Sequence, residues 1–202
     1  MRRMGIRQYF IAGIFMAVLT VLCLGGLSGS VHAKGISASK VRKMADKTVK
    51  KQTKKVSKKD KAARLERVFA YADEKFAYQA NADKAFVEAT LQKQLSDGNL
   101  RSAAYTMLKK RRGTCIHEAA ALAYLIRRAT GYPTQMVIGQ TDAFTGKSQL
   151  HAWVEASIDG AWFVFDSNLD RSKGKTRTWF RIPADGSDRR YEHYTAVWRK
   201  AV

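Results

Sequence analysis

Residues 113–133 read GTCIHEAAALAYLIRRATGYP, and this stretch decides the fold. From Ile116 to Ala129 almost every side of the predicted helix is apolar, which indicates a helix buried at the centre of a domain. Thr114 is a residue type that caps helix N-termini, and Gly131-Tyr132-Pro133 supplies the glycine and proline that follow a helix C-terminus. The sequence therefore predicts one central helix with Cys115 in its first turn.

The first turn of a helix is a favourable place for a thiolate, because free backbone N–H groups and the helix dipole stabilise negative charge there. Cys115 is therefore a candidate nucleophile, with an inert buried cysteine as the alternative. His117 occupies the place where a full capping box has Glu or Gln. Because His117 is rotated away from Cys115 around the helix, we expect it at the rim of the cleft.

The residues after this helix alternate between apolar and polar, which is the period of a β-strand. Before it, apolar residues recur at helical spacing. Helices followed by strands predict an α+β domain with an antiparallel sheet. The predicted helices cover 62–76, 86–95 and 100–110, and the predicted strands cover 134–140, 150–158, 161–167, 176–182 and 192–198.

Asp159-Gly160 separates two of these strands and is a strong signal for a two-residue hairpin turn. The ladder that follows from this turn places Trp153 opposite Asp166 and His151 opposite Asn168. His151 and Asp166 are then diagonal neighbours on one face, roughly 5 to 8 Å apart at Cβ. A slip of one residue would move Asp166 to the other face. The register thus predicts an imidazole–carboxylate pair, with Trp153 positioned to shield it from water.

Cys115, His151 and Asp166 together supply a nucleophile, a general base and an orienting carboxylate, as covalent catalysis on acyl groups requires. The backbone N–H of Cys115 is the natural first donor to an oxyanion, and Tyr105 is one candidate for the second. The sequence has no paired Cys-x-x-Cys motif and no Gly-rich phosphate loop. We therefore expect neither a metal nor a cofactor.

The stretches of sequence that contain Cys115, His151 and Asp166 resemble the transglutaminase-like superfamily of papain-type cysteine enzymes. The resemblance extends over about residues 100–168 and implies a papain-like α+β core. It also implies that Cys115 is the nucleophile, that His151 is the general base and acid, and that Asp166 orients His151. The matching pieces are Gly113-Thr114-Cys115 before an Ala-rich helix, Gly131-Tyr132-Pro133 with the strand 135–139, HAWV at 151–154 and WFVFD at 162–166.

The 202 residues are 46% hydrophobic, which suits one packed core rather than a disordered chain. The net charge of +20 is uneven: residues 1–33 carry +3, residues 34–61 carry +10, and residues 62–202 carry only +7. The basic run has no interleaved aromatic residues for base stacking. Nucleic-acid binding is therefore disfavoured.

Arg2, Arg3 and Arg7 precede an uncharged stretch from 9 to 30 and the small residues of Val31-His32-Ala33. This pattern predicts a signal peptide over 1–33 and a secreted or cell-envelope protein, with an uncleaved membrane anchor as the alternative. Cleavage would leave Cys115 as the single cysteine. Residues 34–61 show no apolar face wide enough to pack, so we expect a lysine-rich tether before a catalytic domain over 62–202. Its lysines either contact an anionic wall polymer or membrane surface, or serve as a spacer.

The combined prediction is an exported cysteine enzyme that attacks a peptide or amide carbonyl, forms a thioester and passes the acyl group to water or an amine. A peptidase or amidase and a protein-glutamine transglutaminase both fit. The alternative is a non-catalytic envelope module that binds peptide or wall polymer. The sequence leaves the oligomeric state undetermined.

Overall fold

A computed structural model describes residues 35–79, 96–191 and 196–198. Its α+β architecture and antiparallel sheet confirm the predicted fold class. The helices are α1 (Ala38–Gln52), α2 (Lys61–Lys75), α3 (Asp97–Lys110), α4 (Cys115–Thr130) and α5 (Ser167–Ser172), and a 3-10 turn covers Arg189–Tyr191. The strands are β1 (Ala77–Tyr78), β2 (Arg112–Gly113), β3 (Thr134–Thr141), β4 (Gln149–Ile158), β5 (Ala161–Phe165), β6 (Phe180–Pro183) and β7 (Ala196–Trp198). None of the described helices combines the length and the apolar composition that a membrane span needs.

Three sequence predictions lie outside the described residues: the segment 1–33, the helix over 86–95 and the first half of the strand over 192–198. The remaining predicted helices correspond to α2, α3 and α4. The predicted strand over 176–182 is shorter and later in the structure, as β6.

Helix α4 is the centre of the fold, as its apolar sequence predicted. It contacts α1, α2 and α3 as well as β3 and β4, and nearly all of its side chains are buried. Gly131 ends it with a φ of 75°, a left-handed conformation that glycine adopts without strain. The central helix therefore fixes where its first residue, Cys115, lies.

His117 corrects one prediction, because it is buried rather than at the rim. Its Nδ1 lies 3.4 Å from the backbone nitrogen of Thr114 and 3.0 Å from Thr114 Oγ1. The imidazole thus takes the place of the Glu that usually completes a capping box. A Cβ at Gly113 would lie 2.6 Å from His117 Cβ, so this cap requires glycine at position 113.

The main sheet has the strand order β6-β5-β4-β3-β7, with every pairing antiparallel. One face packs on α4 through residues such as Met136, Val154 and Phe165. The other face carries a second apolar cluster that includes Val137, Trp153, Val164, Leu169, Trp179, Ile182 and Tyr191. Since side chains alternate along a strand, His151 shares the second face with Trp153.

The β4–β5 hairpin has the predicted register, from Ile158 opposite Ala161 to Val154 opposite Phe165. Asp159 and Gly160 both have positive φ, as a type I′ turn requires. The ladder ends at Phe165, and α5 follows immediately. The predicted pairings of Trp153 with Asp166 and of His151 with Asn168 are therefore wrong, because the chain enters a helix instead of extending the strand to residue 167.

The predicted tether over 34–61 is also wrong. Residues 38–52 form α1, and its Val41, Ala45 and Val49 are buried in the main core. These residues are four apart, so they form a narrow apolar stripe that faces α3 and α4. Arg128 adds an ion pair to Asp46 at 2.6 Å. The folded domain therefore begins well before residue 62.

Candidate active site

The first residue of α4 and the start of β4 meet at a cleft of about 460 Å³. That volume is within the range of small-molecule and peptide sites. Cys115 is partly exposed in this cleft, whereas His151 is buried behind it. The described residues that line it are Tyr78, Cys115, Phe144, Gln149, Leu150, His151, Asn168, Arg171 and Ser172.

His151 and Asp166 are hydrogen bonded, as the hairpin register predicted. The distance from His151 Nε2 to Asp166 Oδ2 is 2.7 Å, and both side chains are almost fully buried. Asp166 Oδ2 also accepts a hydrogen bond from the Tyr191 hydroxyl at 2.9 Å, and Oδ1 accepts one from the Leu169 backbone N–H at 3.0 Å. Burial and the adjacent Asp166 charge raise the pKa of Tyr191, which keeps its hydroxyl a donor.

Cys115 and His151 line the same cleft, and the Cys115 side chain is one of the groups that raise the pKa of His151. Because Nε2 is bonded to Asp166, Nδ1 is the ring nitrogen left for the thiol. Burial by itself lowers the pKa of His151. The Asp166 carboxylate and then Cys115 raise this pKa by a larger amount, so that it reaches about 10. The imidazole therefore carries a proton at neutral pH.

Aromatic side chains enclose the buried part of the imidazole. The Phe144 ring meets His151 edge-on at a centroid distance of 5.0 Å, and Trp153 stacks beside it at 6.3 Å. Tyr191 in turn packs on Trp153 at 4.9 Å. Trp153 is itself fully buried, so it shields the His151–Asp166 pair from water as predicted.

Sequence reasoning missed Glu118, which lies one turn after Cys115. Its carboxylate is 1% exposed and accepts hydrogen bonds from Ser167 Oγ at 2.7 Å and Asn168 Nδ2 at 3.0 Å. Arg171 donates to both Glu118 oxygens, at 2.9 and 2.7 Å. The available signal was one acidic residue on an otherwise apolar helix, since a buried charge needs a partner. Glu118 thus connects the helix of Cys115 to the segment that follows Asp166.

Sequence reasoning also missed Tyr78. The two-residue parallel pairing of β1 with β2 sets Tyr78 beside Gly113, close to Cys115. Burial and the charge of Cys115 raise the pKa of Tyr78, so its phenol keeps its proton. A strand of two residues, such as β1, is too short to produce a recognisable pattern in the sequence. The earlier candidate, Tyr105, instead lies beneath Lys40 and is not among the cleft residues.

Within the ranges 35–79, 96–191 and 196–198, no group of three or more His, Cys, Asp or Glu side chains is placed to hold a metal ion.

The model of the transglutaminase-like superfamily matches residues 42–167. Among solved structures, a candidate cysteine protease from Cytophaga hutchinsonii is 18% identical with a TM-score of 0.49, and the match covers 78% of this chain and 43% of that one. A structure described as a TGase is 14% identical with a TM-score of 0.46, covering 81% and 40%. This chain therefore spans less than half the length of either. No curated protein matches the sequence.

Proposed function

This chain belongs to the transglutaminase-like superfamily, and we propose that it is a cysteine-dependent enzyme that cleaves peptide or amide bonds through a thioester on Cys115. The observation that carries the proposal is the buried His151–Asp166 hydrogen bond in the same cleft as Cys115. Two separate elements, the start of α4 and the β4–β5 hairpin, supply these groups.

In the first step, the Cys115 thiolate attacks the carbonyl carbon and the C–N bond breaks. The leaving amine takes the proton of His151 Nδ1, and the acyl group stays on sulfur. Water then attacks the thioester while His151 takes a proton from it, and the acid leaves as the Cys115 thiolate forms again. Asp166 holds the imidazole with Nδ1 towards sulfur throughout. The Cys115 backbone N–H and the Tyr78 hydroxyl donate to the oxyanion.

We take water as the acceptor, so that the enzyme is a peptidase or amidase. A protein-glutamine transglutaminase would instead pass the acyl group to an amine, and added primary amine would then appear in the product. We also propose that residues 1–33 are an export signal. The mature protein should begin at Lys34, and an intact segment 1–33 in mass spectra would overturn that part.

The test combines activity with thiol labelling. We expect Cys115→Ala and His151→Ala each to remove nearly all activity, and the double variant to lose little more, because residues that act together are non-additive. Asp166→Ala should retain more activity, since an undirected imidazole still accepts a proton.

Alkylation by iodoacetamide needs no substrate. In the parent protein it should persist well below the pKa of a free cysteine, about 8.5, and His151→Gln should shift the profile upward. His117→Gln is the matched control on the same helix, and its profile should follow the parent. Equal profiles for the parent and His151→Gln would contradict the proposal.

A further inference from the structure

Two side chains of basic residues line the cleft beside Cys115. These are, among the described residues, Arg171, which is paired with Glu118, and His151, which is paired with Asp166, and no Asp or Glu side chain lines the cleft. Lys173 adds charge near the cleft, where its Nζ donates to the backbone oxygen of Phe144 at 3.0 Å. The apolar part of the lining comes from Tyr78, Phe144 and Leu150.

Arg171 is held in a fixed orientation with unused donors. Its two terminal nitrogens bind the two oxygens of Glu118 end-on, and its side chain is 19% exposed. A guanidinium has five N–H donors, so the end-on pairing leaves Nε–H and an adjacent N–H as a second fork. Among the described residues, no acceptor besides Glu118 is hydrogen bonded to Arg171.

Glu118 is fully engaged behind this guanidinium. Ser167 and Asn168 occupy its remaining acceptor positions, so the carboxylate is saturated and has no alternative orientation. A cation that is already immobilised loses little conformational entropy when a ligand arrives. Planar bidentate recognition of carboxylates is the property that distinguishes arginine from lysine.

We propose that Arg171 is a specificity residue that binds a carboxylate on the substrate, so that the enzyme selects acyl donors with a free carboxylate within a few bonds of the scissile carbonyl. This inference rests on the proposed function, because it places that carbonyl at Cys115. The alternative is that Arg171 has only a structural role, in which it anchors α5 to α4 through Glu118.

The test compares alkylation of Cys115 by iodoacetate and by iodoacetamide, two reagents of similar size that differ in charge. The ratio of the two rates measures the attraction of the cleft for a carboxylate, and His151 contributes equally in every variant that retains it. We expect Arg171→Gln to lower this ratio about fivefold, while the rate with iodoacetamide changes less than about twofold. Arg171→Lys should retain most of the ratio, because it keeps the charge.

Three further variants control for the buried ion pair and for net charge. Arg171→Gln leaves Glu118 buried without its cation, so the double variant Glu118→Gln/Arg171→Gln removes both charges and should give the same low ratio. Glu118→Gln alone should leave the ratio equal or higher, since the guanidinium loses its counter-charge. Lys50→Gln removes one exposed charge on α1 and should not change the ratio.

Equal ratios in the parent, Arg171→Gln and the double variant would overturn the carboxylate site while leaving the proposed function intact, provided that iodoacetamide labelling still depends on His151. Labelling that ignores His151 would overturn the proposed function, and this inference with it.

Discussion

At the residue scale, Asp166 serves two local structures with one carboxylate. Its Oδ1 caps α5 through the Leu169 N–H, and its Oδ2 binds His151 and Tyr191. A buried carboxylate is tolerated when its oxygens have such donors. The orientation of the imidazole therefore depends on the cap of a helix that begins one residue later.

Tyr78 provides a prediction at this scale. Tyr78→Phe should lower kcat roughly 10²-fold and change KM little, because the phenol donates to charge that develops only in the transition state. Tyr105→Phe is the matched control, since Tyr105 lies outside the cleft lining, and should leave kcat unchanged. Steady-state kinetics of both variants is the measurement. Equal effects of the two substitutions would exclude Tyr78 as an oxyanion donor.

His151 makes the stability depend on pH in a predictable direction. Its folded-state pKa, about 10, exceeds the value of about 6.5 expected in the unfolded chain. The folded state therefore binds this proton more tightly, and the resulting stabilisation is complete below about pH 6.5 and is lost as the pH rises towards 10.

We expect the free energy of unfolding of the parent to fall over that window more steeply than that of His151→Gln, by at most about 1.4 kcal/mol per pH unit. Urea denaturation of both proteins at several pH values measures the difference. The lysines are common to both proteins, so their titration cancels. Parallel stability curves would show that His151 gains no proton affinity on folding.

At the scale of elements, the apolar stripe of α1 is difficult to recognise in the sequence, because it is narrow and lies among charged residues. Five of its 15 residues are lysines, yet Val41, Ala45 and Val49 recur every four residues and are buried. Because α3 and α4 offer a complementary apolar surface, three residues are enough to hold the helix in place. Hydrogen bonds from Arg64 to Ala129 and Thr53 fix the connection to α2.

A truncation that begins at Ala62 should therefore lower the melting temperature by several degrees or prevent folding. Val41→Ala and Val49→Ala should each reduce the free energy of unfolding by about 1–2 kcal/mol, because they remove buried methyl groups. Lys47→Ala, on the exposed side of the same helix, should change it by less than about 0.5 kcal/mol. An unchanged melting temperature after truncation would restore the tether interpretation.

At the scale of the whole molecule, positive charge is concentrated in residues 40–61. Every lysine and arginine from Lys40 to Lys61 is exposed, and we call this set the basic face. The two acidic residues within it are already engaged, Asp46 with Arg128 and Asp60 with the backbone N–H of Ala63. The basic face therefore presents nearly uncompensated positive charge.

We propose that the basic face binds an anionic polymer, as the sequence suggested for this segment. Retention on immobilised poly-glutamate should decrease steeply with salt, because exposed charges are screened within about 10 Å at 0.1 M salt. Lys47→Glu/Lys50→Glu/Lys54→Glu should elute at lower salt than Lys109→Glu/Lys110→Glu/Lys75→Glu, which carries the same net charge. Co-elution of the two variants would show that only net charge matters. Preferential sedimentation with anionic lipid vesicles would favour a membrane surface instead.

The sequence by itself determined the features that depend on local order. The apolar run of α4 is long enough to require burial, and its flanking Thr114 and Gly131 set its ends. Asp159-Gly160 sets the hairpin register, and a period of two residues then puts His151 and Asp166 on one face. Each of these rules acts over a few residues, so no distant contact was needed to apply it.

Only the tertiary structure decided the contacts between segments far apart in the chain. Tyr78 reaches Cys115 through a pairing of two residues, Glu118 meets Arg171 across 53 positions, and α1 is ordered because the surface of α3 and α4 accepts its narrow stripe. Burial of an isolated charge or a weak stripe depends on what the partner surface supplies. That partner is distant in sequence, and only the packed fold brings it near.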